Sequence, residues 1–121
     1  MGAGGNISLG GPLLDDGAVR TLTVTGGSGT VTIAGGAPGA SPASTLDTLL
    51  VTASDGAGRI RVGSVSTVAA QSYDAGTGGI ELGGNITTLG SAGADTVGFA
   101  DAVTLTGNSS ITTAGAAATT S

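Results

Sequence analysis

A three-residue pattern, apolar, polar, apolar, followed by a turn that usually contains glycine, recurs along the chain and limits the folds open to it. It reads Ile7-Ser8-Leu9-Gly10-Gly11, Val31-Thr32-Ile33-Ala34-Gly35, Ile60-Arg61-Val62-Gly63, Ile80-Glu81-Leu82-Gly83-Gly84 and Val103-Thr104-Leu105-Thr106-Gly107. The first residues of these units step by 24, 29, 20 and 23 positions. Strict alternation marks a strand with one buried face, because successive side chains project to opposite sides. Each unit is therefore one short strand.

Satellite strands accompany the column. Leu22-Thr23-Val24, Leu49-Leu50-Val51 and Val97-Gly98-Phe99 precede its members, while Val65 with Val68, Ile86 with Leu89, and Ile111 follow them. Two or three short strands per repeat, joined by Gly, Asn, Asp and Ser corners, describe one coil of a parallel β-solenoid. The fold expected is all-β, a β-helix of about five coils with little or no helix, spanning residues 1–121 as one segment. The stretch 36–44, with two prolines and no periodicity, is expected as a loop inserted at one corner, and 115–121 as a connector-like tail. Neither terminus carries an amphipathic cap, so the strand edges at both ends are expected to be covered by something else.

The composition fits this architecture. Gly, Ala, Ser and Thr fill 75 of 121 positions, and Val, Ile and Leu supply only 25. A coil this small has an interior filled by one aliphatic side chain per inward position, and tight corners favour residues that tolerate positive φ or close backbone approach. Cys, His, Trp and Lys are absent, and Tyr and Phe occur once each, so the usual catalytic and ligating groups are scarce. A net charge of −5 leaves no basic patch for nucleic acid. No apolar run approaches the roughly 18 residues that span a bilayer, and the start lacks the parts of a secretion signal, which is expected to lie outside this segment.

The charged residues offer few sites. Aligning Ile60 on Ile80 puts Arg61 one coil from Glu81 on the outward face, beside Arg59. An exposed ion pair explains this better than a carbohydrate-cleaving subsite, which wants several convergent carboxylates. Asp55, Asp74, Asp95 and Asp101 fall mainly in corners without paired spacing. Gly90 to Gly98 nearly matches a calcium-binding nonapeptide, with Ser91 in place of its second glycine, but occurs once where such sites need tandem copies. Calcium is thus the single cofactor to consider, and an Asp-containing turn is the simpler reading. The glycine pairs Gly10-Gly11, Gly35-Gly36 and Gly83-Gly84 open no helix and do not suggest phosphate binding. Sequons at Asn6, Asn85 and Asn108 are explained by corner geometry, with glycosylation open. The Thr-x-Thr triplets resemble ice-binding ladders, but Arg61 and Glu81 interrupt the array. No residue is assigned as catalytic, cofactor-binding or metal-ligating.

The stretch from Gly79 to Thr88, followed by Asp101 to Thr112, resembles the degenerate repeats of filamentous-haemagglutinin-like and related β-strand-repeat bacterial surface proteins. Gln71-Ser72-Tyr73-Asp74-Ala75 is similar to the Gln-x-Tyr-x-Gly element placed between such repeats, with Ala75 departing from the glycine. The resemblance covers most of residues 5 to 115. It implies a secreted right-handed β-helix acting as an adhesin shaft at the cell surface, and it transfers no binding residue. The expected function is a non-enzymatic structural solenoid, either a shaft segment or a subunit stacking end to end in an extracellular fibre. Its expected partners are copies of itself or flanking repeats stacked head to tail, with cell-surface or glycan contacts in addition and neither nucleic acid nor membrane insertion. The alternative is a binding module for glycan, ice or a host surface on the same fold; a carbohydrate-active β-helix ranks below both.

Overall fold

The computed structural model describes residues 5–11, 13, 18–34, 46–89, 96–113 and 119–120. Among them there is no helix, and the regular structure is entirely strand: β1 (Ile7–Leu9), β2 (Thr21–Thr25), β3 (Thr30–Ile33), β4 (Thr48–Ala53), β5 (Arg59–Val62), β6 (Val65–Thr67), β7 (Gln71–Ala75), β8 (Gly79–Leu82), β9 (Ile86–Thr88), β10 (Thr96–Phe99), β11 (Val103–Leu105), β12 (Ile111–Thr113) and β13 (Thr119–Thr120). They fall into three sheets. Sheet 1 runs β1-β3-β5-β8-β11, sheet 2 runs β2-β4-β7-β10-β13, and sheet 3 runs β6-β9-β12. Every pairing is parallel. From β4 onward the chain visits sheets 2, 1 and 3 in turn and then returns to sheet 2, which is the path of a β-solenoid.

Sheet 1 is the column expected from the repeat. Ile7 pairs with Val31, Val31 with Ile60, Ile60 with Ile80 and Ile80 with Val103, so the sequence alignment and the strand register coincide. The coils are held together by backbone bonds along the stack. Ala34 N donates to Leu9 O at 2.8 Å, Gly63 N to Ile33 O at 2.7 Å, Gly83 N to Val62 O at 2.8 Å and Thr106 N to Leu82 O at 2.9 Å.

Alternation sorts the side chains. Val31, Ile60 and Ile80 form one inward column and Ile33, Val62 and Leu82 the next, with exposures of 0% to 3%. Val65 and Ile86 close the core from sheet 3, and Leu49, Val51, Tyr73 and Val97 close it from sheet 2. Each fully buried aliphatic side chain contributes roughly 1.5–3 kcal/mol relative to exposure, so a core one side chain wide still accumulates substantial stabilisation along the stack. The corner between sheets 2 and 1 turns through glycine. Gly56 adopts φ +51°, and a Cβ on Gly58 would collide with the backbone carbonyl of Ala53.

Two expectations change. The solenoid makes about 4 turns where about five coils are expected. The tail is not wholly a connector: Thr119 and Thr120 pair with Thr96 and Val97 and extend sheet 2. Gln71–Ala75 forms strand β7, paired to β4 on one side and β10 on the other. The insertion 36–44 lies outside the described residues.

Ile80 is 1% exposed in the middle of the inward column. Ile80→Asp places an unpaired charge there, and we expect loss of the β-type circular dichroism signal and of any cooperative melt at 25 °C. A variant that keeps the wild-type melting temperature would disprove the inward placement.

Candidate functional site

On the outward face of sheet 1 the register Thr32, Arg61, Glu81, Thr104 brings the sequence-predicted ion pair together. Arg61 Nε donates to Glu81 Oε1 at 2.9 Å, and Arg59 Nη1 lies 3.6 Å from Glu81 Oε2. Arg59 Nε also donates to the Gly78 carbonyl at 3.3 Å. The side chains are 52%, 39% and 28% exposed for Arg61, Arg59 and Glu81, so water screens the cluster and its contribution stays below about 1 kcal/mol. The same residues break the threonine ladder, as the sequence alignment indicated.

The acidic residues are separated. Asp55 lies in the corner between β4 and β5, whereas Asp74 is an outward residue of β7 rather than a corner residue. Asp101 has a structural partner: its Oδ2 accepts the Ala75 amide at 2.7 Å, tying its corner to the preceding coil. Asp95 and the Gly90–Asp95 part of the calcium-like motif lie outside the described residues, and Thr96, Val97 and Gly98 belong to β10. Among the described residues no three His, Cys, Asp or Glu side chains converge.

Two sequon asparagines perform corner work. Asn6 Oδ1 accepts the Thr30 amide at 2.9 Å and Asn85 Oδ1 accepts the Ser110 amide at 3.1 Å, in each case one coil along. Asn108 is exposed in the corner before β12.

The most developed polar arrangement is one the sequence reasoning missed. Gln71, 1% exposed, occupies an inward position between Leu49 and Val97. Its Nε2 donates to Thr67 Oγ1 at 3.0 Å and to the Thr87 carbonyl at 3.1 Å, while Tyr73 OH donates to its Oε1 at 2.6 Å. Thr67 Oγ1 donates onward to the Ala69 carbonyl at 2.7 Å. Tyr73 stacks on Phe99, with ring centroids 5.2 Å apart and planes inclined by 13°. The signal was available: the chain's one Tyr and one Phe are separated by 26 positions, close to the repeat step, which stacks them if both lie in one column. Below Thr67 in register, Thr88 Oγ1 is buried without a hydrogen-bond partner among the described residues.

The other arrangement of functional interest is the end of the stack. Val103 and Leu105 continue the two inward columns of sheet 1, and Ile111 continues that of sheet 3, yet they are 39%, 62% and 38% exposed. They are uncovered because no described strand follows β11 or β12 in its sheet. Chemically, this is an apolar edge with backbone groups available for one more parallel strand. No protein-family model, curated protein or solved structure matches the chain.

Burial pushes the Tyr73 phenol well above its ordinary value near 10, because the ionised form would lose its hydration. The unfolded chain therefore releases this proton first. Stability is full below about pH 10 and falls above it by about 1.4 kcal/mol per pH unit until the folded phenol also ionises. In urea titrations we expect Tyr73→Phe to cost about 1–3 kcal/mol at pH 7, because Gln71 Oε1 loses its donor, and to flatten the alkaline decline. Glu81→Ala should cost less than about 1 kcal/mol. The opposite ranking of the two variants would refute the assignment of inside and outside.

Proposed function

We propose that the chain is a non-enzymatic structural β-solenoid, a shaft segment or end-to-end stacking subunit of an extracellular surface fibre or adhesin. The observation that carries this reading is the uncovered edge at β11 and β12, where Val103, Leu105 and Ile111 are exposed although their counterparts one coil earlier are buried. Apolar residues that continue a buried column yet face solvent form a surface that one more stacked coil would cover. The outward faces agree with a passive role: among the described residues they are rich in Thr and Ser, and in the Arg59–Arg61–Glu81 cluster the charges of opposite sign are paired with one another. The location at the cell surface rests on the resemblance of the repeats to those of exported bacterial adhesins.

The test is a covalent tandem in which residue 121 of one copy is joined to residue 1 of the next. Stacked coils share an interface, so a shaft unit in tandem should unfold in one transition, with a melting temperature above that of the single copy. Two independent transitions at the single-copy temperature would refute the shaft reading.

A further inference from the structure

Resting on the shaft reading, we infer that the surface formed by β11, β12 and β13 is a docking site for the N-terminal edge of a second copy of this chain, with β1 of the incoming copy pairing in parallel on β11. The register places the incoming Ile7 against Val103, Ser8 against Thr104 and Leu9 against Leu105.

Three independent matches support this occupant. The first is strand order. The coil path runs from sheet 2 to sheet 1 to sheet 3; the last described strand, β13, belongs to sheet 2, and the first, β1, belongs to sheet 1. An incoming β1 thus takes the next place in the path, under β11, and its β2 follows under β13.

The second is hydrogen-bond phase. In the series Leu9, Ile33, Val62 and Leu82, each carbonyl accepts a corner amide one coil on, from Ala34, Gly63, Gly83 and Thr106 respectively. Leu105 is the next member of that series, and in this register its carbonyl meets the incoming Gly10 amide. A parallel strand directs the backbone groups of alternate residues to opposite neighbours. Ile80 N donates to Ala102 O and Thr106 N to Leu82 O, so Ala102, Thr104 and Thr106 face β8 while Val103 and Leu105 face the open side. On β1 the carbonyl of Leu9 is engaged with Ala34, which leaves Ser8 facing the opposite, open side. Donors and acceptors of the two edges therefore alternate in step.

The third is side-chain fit. Ile7 and Leu9 are half-buried apolar residues packed on the core from one side only, and they would cover Val103 and Leu105. Neither β1, β11 nor β12 carries a charge or a proline, the usual devices that protect a free edge. Two polar side chains beside the edges are engaged within the stack: Asp101 accepts from the Ala75 amide and Asn6 from the Thr30 amide. A head-to-tail contact of this kind does not close on itself, so it generates filaments.

The test uses the 121-residue chain in analytical ultracentrifugation from micromolar to millimolar concentration, with negative-stain microscopy of the concentrated sample. Wild type should show a sedimentation coefficient that rises with concentration, and unbranched filaments. Ser8→Pro removes an amide that faces only the open edge of β1, and Leu105→Arg places a charge on the edge of β11; Val103→Pro serves as a second block at that end. Each variant alone should stay monomeric with a wild-type circular dichroism spectrum, and an equimolar mixture of Ser8→Pro with Leu105→Arg or Val103→Pro should form a pair of twice the monomer mass, because one intact edge of each kind remains. Wild type that stays monomeric at every concentration, a Ser8→Pro variant that dimerises by itself, or a mixture that forms no pair would each overturn the inference. A tandem that melts as one unit while separate copies stay monomeric would overturn it and leave the shaft reading intact.

Discussion

The structure depends on a backbone bond that each coil makes to the next: the carbonyl of an inward residue in sheet 1 accepts the amide of the corner residue one coil further on. Four such bonds, from Ala34, Gly63, Gly83 and Thr106, lie between 2.7 and 2.9 Å. Buried backbone groups must be paired, and along the sheets the partner lies in a neighbouring coil, so a single coil is not a stable unit. This constraint fixes the parallel register, and the register puts side chains of the same kind above one another. An apolar residue at an inward position is then covered above and below by its own counterparts. The interior needs no large side chains, which is why a chain so rich in Gly, Ala, Ser and Thr can fold.

The polar residues inside the column follow the same rule by other means. Gln71 replaces an aliphatic residue at an inward position and is tolerated because Thr67, Thr87 and Tyr73 supply its partners. A buried amide left without them would cost more than the network contributes. The cluster makes one level of the core distinct from the others. Identical levels allow a coil to slip against its neighbour; a Gln that finds its partners in only one alignment disfavours the slip.

Much of this was legible in the sequence. The Ile-x-Val and Ile-x-Leu triplets gave the column of sheet 1 residue by residue, because the period of two and the Gly corners reinforce each other. Sheet 2 was legible only where its inward residues are aliphatic, as at Leu49 and Val97. At β7 the inward places are Gln71 and Tyr73, and hydrophobic alternation cannot mark a strand whose buried residues are polar or amphipathic. Asp74 reads as a corner residue for the same reason. Thr119 and Thr120 read as connector because two residues carry no period at all; their pairing comes from the edge that β10 offers. The exposed Arg61–Glu81 pair is legible because both ends of it lie in the one sheet whose register can be counted.

On the proposed reading, function resides in the ends of the molecule more than in its faces. Among the described residues the faces present mainly short polar side chains and the screened Arg59–Arg61–Glu81 cluster, whereas the β11 and β12 end presents an unfinished ladder. Residue-resolved amide hydrogen exchange in a dilute monomeric sample measures that division most directly. Gly63 and Gly83, whose amides join central coils, should be the slowest to exchange, and Val103 and Leu105, whose amides face the open side, should exchange at rates close to those of an unstructured chain. Equal protection at all four positions, or rapid exchange at Gly63 and Gly83, would contradict the stacked-coil ladder with an open end.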